Sequence, residues 1–258
     1  MSRQLFLLTL LLLSYFLDSS TSRRLLHHVS PSTVNQRILP GYDLYCEGWR
    51  LSVETGNAGA WSVIPPSCAS YVRDYMNGDY YLSDSKVVAA ESTEFAKSVV
   101  IPGDGMDAWV FDIDETLLSN LPYYQTVDFG SEEYNETKWD EWVDLAEAPA
   151  LPSSLELYND LKRMGFSLIL LTGRSEFQRN VTEKNLHSAA YRDWEKLILR
   201  QSSDEGKTAT QYKSEKRLAL IEEGYRIHGS SGDQWSDLRG YATATRSFKI
   251  PNPMYYIS

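Results

Sequence analysis

Positive charge is scarce in this chain relative to negative charge. Its 258 residues include 25 lysines and arginines against 35 aspartates and glutamates, which gives a formal net charge of −10. A nucleic-acid-binding surface needs clustered lysine and arginine, so this balance argues against a nucleic-acid partner. The same negative field means that an anionic substrate needs a local cation or a metal ion in order to bind.

Long apolar runs are also lacking, apart from one near the start. Arg3 precedes an apolar segment over residues 5–17, and small polar residues follow at 19–22. This segment is shorter than the roughly 20 residues that a bilayer-spanning helix needs. The layout is typical of a secretory signal peptide over residues 1–22, with an uncleaved membrane anchor as the alternative. We therefore expect a mature protein without a membrane partner, either extracellular or vacuolar.

Cysteine is rare, and the chain has just two, Cys46 and Cys68. In an oxidising compartment we expect them to form a disulfide, which would contribute roughly 3 kcal/mol in the chain-entropy model. Two free buried thiols are the alternative. N-glycosylation sequons begin at Asn135 and Asn180. Asn135 is the better candidate because it lies in a polar, loop-like region, whereas Asn180 falls in a predicted helix.

No internal repeat or low-complexity segment interrupts the chain. Residues 23–45 lack periodicity and are predicted to form a mobile arm. Residues 46–104 are predicted to form a mostly helical extension, because apolar residues recur at helical spacing over 82–100. From residue 105 onwards, strands and helices alternate. Strands are predicted over 109–114, 166–171, 197–199, 226–230 and 248–250. Helices are predicted over 155–161 (capped by Ser153 and ending at Gly165), 176–190 and 214–223.

This alternation predicts an α/β fold for residues 105–258, with a Rossmann-like parallel sheet and helices on both faces. The polar segment 120–150 does not fit the alternation and contains several aromatic residues, Tyr123, Tyr124, Trp139 and Trp142. We expect it to overhang the edge of the sheet as a flap or small cap. A surface excursion packed elsewhere is the alternative.

Two aspartates spaced by one residue, Asp112 and Asp114, end the first predicted strand. Alternate side chains of a strand point the same way, so both carboxylates are expected on one side. Two like charges held this close to apolar residues raise a pKa or require a cation. The carboxyl end of a buried parallel strand is also where open α/β sheets bind ligands.

Further polar groups follow the later strands, where a parallel sheet gathers its turns at one edge. They are Thr172 and Gly173 after the second strand, Lys213 near a helix start, and the aspartates Asp233 and Asp237 after Gly232. Clustered carboxylate oxygens favour Mg²⁺, and a lysine with a hydroxyl suits a phosphate. Lys216, one helical turn from Lys213, is the alternative lysine.

In this order, the residues resemble the four motifs of the haloacid dehalogenase-like phosphohydrolase superfamily. The surrounding sequence is similar to that of plant secreted acid phosphatases related to vegetative storage proteins. The segments that carry this likeness are 111–120 (FDIDETLLSN), 170–175 (LLTGRS), 206–210 (GKTAT), 232–238 (GDQWSDL) and 251–256 (PNPMYY).

The resemblance implies a role for each motif residue. Asp112 is the expected nucleophile and Asp114 the expected general acid and base. Mg²⁺ is expected between the carboxylates of Asp112 and Asp233 and the main-chain carbonyl of Asp114, with Asp237 in the second shell orienting a metal-bound water. The phosphoryl group is expected to be held by the following groups: Thr172, the Gly173 amide and Lys213. Arg174 is equally suited to a structural ion pair and to a substrate contact.

The function implied is a Mg²⁺-dependent acid phosphatase acting on small phosphomonoesters through an aspartyl-phosphate. The alternative is a vegetative (nitrogen) storage protein with weak or incidental phosphatase activity. A phosphate-binding module without turnover is a third hypothesis, and Asp114 argues against it because such a module needs no acid/base carboxylate. The oligomeric state stays open, although the relatives point to a homodimer.

Overall fold

The computed structural model describes residues 44–257. The predicted signal peptide and most of the predicted arm lie outside these residues. Within the described part, no helix combines the length and the apolar character that crossing a membrane requires.

The helical extension consists of three helices. They are α1 (Leu44–Glu54), α2 (Ala69–Asn77) and α3 (Asp79–Lys97). Helix α1 begins before the predicted boundary at Cys46, so Leu44 and Tyr45 are helical rather than part of the arm. The predicted disulfide is confirmed: Cys46 is bonded to Cys68, with their Cα atoms 5.3 Å apart. It ties α1 to the short turn that precedes α2.

Removing this disulfide is expected to lower stability, because it leaves the unfolded chain less constrained. We expect the double substitution Cys46→Ala/Cys68→Ala to reduce the free energy of unfolding by about 3 kcal/mol. Urea titration of both proteins measures the difference. Reductant serves as the matched control, since it should lower the melting temperature of the wild type and leave that of the variant unchanged. An unchanged melting temperature in both would contradict a stabilising bridge.

A sheet of five parallel strands forms the centre of the described residues, in the order β3-β2-β1-β4-β5. The strands are β1 (Asp107–Phe111), β2 (Ser167–Ser175), β3 (Lys196–Arg200), β4 (Arg226–Gly232) and β5 (Arg246–Lys249). The strand order reverses between β1 and β4, so the sheet has its switch point there.

Six further α-helices follow β1 in the chain. They are α4 (Leu121–Thr126), α5 (Glu136–Leu145), α6 (Pro152–Met164), α7 (Arg179–Ser188), α8 (Ala209–Glu222) and α9 (Trp235–Leu238). Helix α6 ends at Gly165, as expected, because this glycine takes a left-handed conformation with φ of 95°. The predicted cap was wrong: Leu151 is the N-cap residue, with Pro152 in the first turn, and Ser153 lies inside the helix.

Alternate side chains of β1 pack into two hydrophobic cores, one on each face of the sheet. Trp109 and Phe111 join one core with residues of α3, α6 and α7. Ala108 and Val110 join the other with Tyr212 and other residues of α8. The predicted α/β class, with a parallel sheet and helices on both faces, is therefore confirmed.

Candidate active site

A cleft of about 1160 Å³ opens at the carboxyl ends of β1, β2 and β4. Residues directly after β1 and β4 line it, which is the expected position beside the switch point. Segment 120–150, called the flap here, also lines the cleft, as do the helical extension and the carboxyl-terminal residues. Together they provide an aromatic wall of Trp61, Tyr124, Tyr134, Trp139, Tyr255 and Tyr256.

A buried ion-pair cluster lies in this cleft. The Lys213 ammonium lies 2.6 Å from Oδ1 of Asp112 and also donates to Asp237. All three side chains are almost fully buried. Helix α8 carries the lysine and α9 carries Asp237, so groups distant in the sequence meet here. The alternative lysine, Lys216, instead pairs with Asp204 at 2.9 Å.

Asp233 completes the acidic side of the cluster without an ion pair of its own within residues 44–257. Its Oδ2 accepts hydrogen bonds of 2.7 Å from the side-chain amides of Gln234 and Asn252. Its Oδ1 accepts a weaker bond, of 3.4 Å, from the Thr116 hydroxyl. Neutral donors thus orient this carboxylate, and Lys249 is the cation that acts on it, from beyond ion-pair distance.

The cluster carries more negative than positive charge. Asp112, Asp233 and Asp237 each offer a carboxylate oxygen within 4.8 Å of the others, and Lys213 forms ion pairs with two of them, Asp112 and Asp237. Burial raises the pKa of Asp112 well above its ordinary value, and burial together with Asp237 raises the pKa of Asp233 to about 6. An all-oxygen donor set with excess negative charge fits a hard divalent cation such as Mg²⁺.

Strand β1 is shorter than predicted, and this changes how the aspartate pair is presented. The strand ends at Phe111, although the Asp112 amide still donates to Ser231 on β4 at 3.0 Å. The chain then turns, because the amides of residues 116–118 all donate to the carbonyl of Ile113. Asp114 therefore lies in a turn, and strand alternation does not explain its orientation.

Two donors from different segments hold Asp114. Arg174 donates to Oδ2 from Nε at 3.0 Å and to Oδ1 from Nη2 at 2.7 Å. Asn120 donates to Oδ1 from its side-chain amide at 2.9 Å. Burial alone would raise the pKa of Asp114, but Arg174 and Asn120 hold it below its ordinary value. The structure thus gives Arg174 an ion pair with Asp114.

The expected phosphate-binding residues of β2 differ in their exposure. Gly173 lines the cleft, and a Cβ built there would contact no other protein atom. Thr172 is fully buried and is not among the cleft-lining residues; its hydroxyl accepts from the Arg174 amide at 3.1 Å. Gly232, the last residue of β4, is required sterically, because a Cβ there would overlap the carboxylate of Asp237.

Sequence reasoning missed several polar residues that support the site, above all Glu115. This residue is fully buried. It accepts hydrogen bonds from the main-chain amide of Asn120 and, at 3.2 Å, from the Tyr81 hydroxyl. Burial and the nearby Asp233 raise its pKa to about 8. The sequence shows that Glu115 directly follows the aspartate pair. It does not reveal the partners of Glu115, because these lie in the helical extension and the flap.

Comparison with known proteins agrees with this geometry. A family model described as HAD superfamily, subfamily IIIB (acid phosphatase) matches residues 32–258. The chain belongs to this acid phosphatase family. Among curated members and relatives, acid phosphatase 1 of Solanum lycopersicum is 55% identical over 215 residues, covering 83% of this chain and 84% of that protein.

Other relatives of this HAD acid phosphatase carry storage or glycoprotein names. The stem 28 kDa glycoprotein of Glycine max is 44% identical, covering 83% of this chain and 85% of that protein. Vegetative storage protein 2 of Arabidopsis thaliana is 38% identical, covering 82% of this chain and 80% of that protein. The class C acid phosphatase of Bacillus anthracis shares the fold, with a TM-score of 0.57 at 22% identity, over 73% of this chain and 85% of that one.

Proposed function

We propose that this acid phosphatase hydrolyses small phosphomonoesters with Mg²⁺, through an aspartyl-phosphate formed on Asp112. The observation that supports this most directly is the buried cluster of Asp112, Lys213, Asp233 and Asp237 in the cleft. It combines a nucleophile, an ammonium group and an all-oxygen donor set in one water-poor site. Such an arrangement has little use for stability alone, since buried ion pairs contribute little net free energy.

In the first step, a carboxylate oxygen of Asp112 attacks phosphorus and the ester P–O bond breaks. The bonding electron pair goes to the departing alcohol oxygen, which takes a proton from Asp114. In the second step, water attacks phosphorus, Asp114 takes up a proton from it, and the P–O bond to Asp112 breaks. Inorganic phosphate leaves, and Asp112 is a free carboxylate again.

The phosphoryl oxygens carry the developing charge in such a transfer, so donors directed at them lower the barrier. We assign this role to Lys213 and to the main-chain amide of Gly173. The Thr172 hydroxyl, which resemblance alone places among these donors, is buried outside the cleft lining and accepts from the Arg174 amide. The open space around Gly173 leaves room for a phosphate against the backbone. Asp237 accepts a hydrogen bond from the ammonium group of Lys213, so we assign it the role of a positioning residue.

The residues that would hold Mg²⁺ are Asp112 and Asp233, through their carboxylates, and Asp114, through its main-chain carbonyl. When bound, the ion offsets the repulsion between an anionic nucleophile and an anionic phosphate. In this assignment Asp237 would not bind the ion directly and instead pairs with Lys213. The lack of an ion pair at Asp233 within residues 44–257 supports it, because the groups that donate to that carboxylate there are neutral.

Removing divalent metal is expected to abolish turnover. EDTA-treated protein should lose at least about 100-fold in kcat, because the buried carboxylates then repel the phosphate. Added Mg²⁺ should restore the rate, and it should also raise the melting temperature, since an ion that binds only the folded state stabilises it. p-Nitrophenyl phosphate and β-glycerophosphate are suitable substrates. Full activity in metal-free protein would exclude the metal from the mechanism.

We also propose an oxidising destination, extracellular or vacuolar. The disulfide supports this, as does the name of the stem glycoprotein relative. Asn135 is the proposed glycosylation site, because it is exposed at the start of α5 and its side-chain oxygen, rather than its nitrogen, takes part in the hydrogen bond from the Lys138 amide at 3.0 Å. In the second sequon, the hydroxyl of Thr182 is buried and accepts from Arg174 at 3.2 Å.

Nitrogen storage is a second candidate function, favoured by the similarity to vegetative storage proteins. The two functions require different residues. Catalysis needs a nucleophile, an acid/base residue and a lysine together, whereas storage alone does not. Turnover measured on a panel of phosphate esters separates them. Absence of hydrolysis across the panel, with Mg²⁺ present, would favour storage.

A further inference from the structure

We propose that Trp142 and Asn120 are positioning residues that hold Asp114 in the orientation needed to protonate the leaving alcohol. This inference rests on the proposed function, in which Asp114 is the general acid. Neither residue is expected to touch the phosphate. They act through Asp114, along a chain of hydrogen bonds that begins in the flap.

The hydrogen-bond chain has two steps with well-formed distances. The indole Nε1 of Trp142, in α5, donates to Oδ1 of Asn120 at 2.8 Å. Nδ2 of Asn120 then donates to Oδ1 of Asp114 at 2.9 Å. Asn120 is completely buried, so water cannot readily replace either partner and the loss of one bond leaves a buried polar group unsatisfied.

Trp142 decides which end of the Asn120 amide faces Asp114. An indole N–H is a donor only, so the group opposite it must be the amide oxygen. That arrangement turns the amide NH₂ towards Asp114, where it donates to Oδ1 and fixes the orientation of the carboxyl group. Without the indole N–H, the amide is free to rotate by half a turn and to present its oxygen to Asp114, which would repel the carboxylate.

The contacts also distinguish the two oxygens of Asp114. Oδ1 accepts from both Asn120 and Arg174, whereas Oδ2 accepts from Arg174 alone among the residues that the structure describes. Each carboxylate oxygen has about two acceptor sites, so Oδ2 keeps one free. We therefore assign the transferable proton to Oδ2. Asn120 and Arg174 fix the plane of the carboxyl group so that this oxygen can face the cleft, which Asp114 lines.

This arrangement makes the acid dependent on the flap. Trp142 lies in α5, and its ring also stacks on that of Tyr123 at 6.4 Å, so the helix and the hydrogen bond form one packed unit. Asn120 directly precedes α4. The flap thus contributes to the chemistry through Asp114, in addition to forming a wall of the cleft.

Two substrates that differ in leaving group test the proposal with Trp142→Phe. For β-glycerophosphate, whose alcohol must be protonated as it leaves, kcat/KM should fall about tenfold, part of the roughly 10²–10⁴-fold that general acid catalysis supplies. For p-nitrophenyl phosphate, whose phenolate leaves without a proton, kcat/KM should change less than about twofold. A structural defect would lower both values together, because it would reduce the amount of active protein.

Trp194→Phe is the matched control, since Trp194 is a partly buried tryptophan that packs against the core and stacks on His187. It should leave the ratio of the two kcat/KM values unchanged. Melting temperatures of both variants show whether they fold. If Trp142→Phe does not fold, Asn120→Ala tests the same chain, and it should lower kcat/KM for β-glycerophosphate at least as much.

If both variants fold, the double variant Trp142→Phe/Asn120→Ala should be no slower than Asn120→Ala, because Trp142 acts only through Asn120. Equal losses on both substrates, no loss on either, or additive losses in the double variant would each overturn the inference. The proposed function is tested separately by the wild type: if it hydrolyses both esters and the variants keep its substrate ratio, only the positioning role is wrong.

Discussion

Replacing Asp112 with asparagine is expected to abolish turnover while leaving the fold intact. Asparagine keeps the shape of the side chain but is a far weaker nucleophile, so no phosphoryl-enzyme forms. Loss of a nucleophile costs about 10⁴-fold or more in kcat in well-studied hydrolases, and we expect a loss of that size here. Stopped assays with p-nitrophenyl phosphate measure it.

The stability of Asp112→Asn should be equal to or higher than that of the wild type in the absence of metal. The substitution removes one of three buried carboxylates, and Lys213 keeps its pair with Asp237. Thermal melting in EDTA checks this point. Lost activity at unchanged melting temperature would show that chemistry, rather than folding, was affected.

Asp107→Asn is the matched control, because Asp107 is a buried aspartate at the opposite end of the same strand. It pairs with Arg226 at 2.8 Å and with His228 at 2.7 Å, away from the cleft. This variant should lose stability but retain kcat per folded molecule. Acid-quenched mass spectrometry adds a direct readout, since the wild type should carry a phosphoryl group on Asp112. Turnover near the wild-type rate in Asp112→Asn would exclude this residue as nucleophile.

The sequence was most informative about the sheet and about the order of its turns. Residues 108–111 of β1 and 168–171 of β2 are apolar because both faces of the sheet are covered, and polar residues follow them towards the carboxyl ends. Asp112, Lys213 and Asp233 could therefore be expected at one edge from chain order alone. Their convergence in the cleft follows from the parallel topology, which the alternation of strands and helices predicted.

Side-chain pairs between loops could not be predicted in the same way. The contact of Asn252 with Asp233, and that of Arg174 with Asp114, join segments that are far apart in the chain. Loop residues have no periodicity that reveals their partners, since the backbone path between elements is irregular. For the same reason, the sequence predicts that Asp114 lies in strand β1, whereas in the structure the chain turns at Ile113.

Replacing Lys213 with methionine is expected to lower both activity and stability. Loss of the ammonium group would leave two carboxylates, Asp112 and Asp237, buried without their cation. Breaking a buried ion pair in this way costs about 3 kcal/mol or more of unfolding free energy. Loss of a donor to the phosphoryl group should lower kcat/KM by about 10²–10³-fold. Urea titration in EDTA and steady-state kinetics with Mg²⁺ measure the two effects.

The stability loss in Lys213→Met should depend on pH. Burial acts to lower the pKa of Lys213, but Asp112 and Asp237 outweigh it and raise that pKa. Burial already raises the folded-state pKa of Asp112, and without this cation that pKa rises further. Groups with raised folded-state pKa values favour folding below their unfolded values, near 4, and this contribution is lost as pH increases. The difference from wild type should therefore shrink in acid and grow towards neutral pH.

Lys216→Met is the matched control, one turn further along α8. Asp204 keeps its pair with Lys207, at 2.8 Å, when Lys216 is removed. We expect a stability change below about 1 kcal/mol, because the remaining pair still compensates that carboxylate. The kcat/KM value should be unchanged. If Lys216→Met lost activity and Lys213→Met retained it, the phosphate-binding role would belong to Lys216.

Lys213→Arg separates the charge of this residue from its contact with phosphate. Arginine restores a cation beside Asp112 and Asp237, so most of the stability should return. Its planar guanidinium directs its donors differently from an ammonium group and fills more space, so kcat/KM should remain low. Recovery of stability without recovery of rate would support a direct contact between Lys213 and the phosphoryl group. Recovery of both would instead limit Lys213 to neutralising the buried carboxylates.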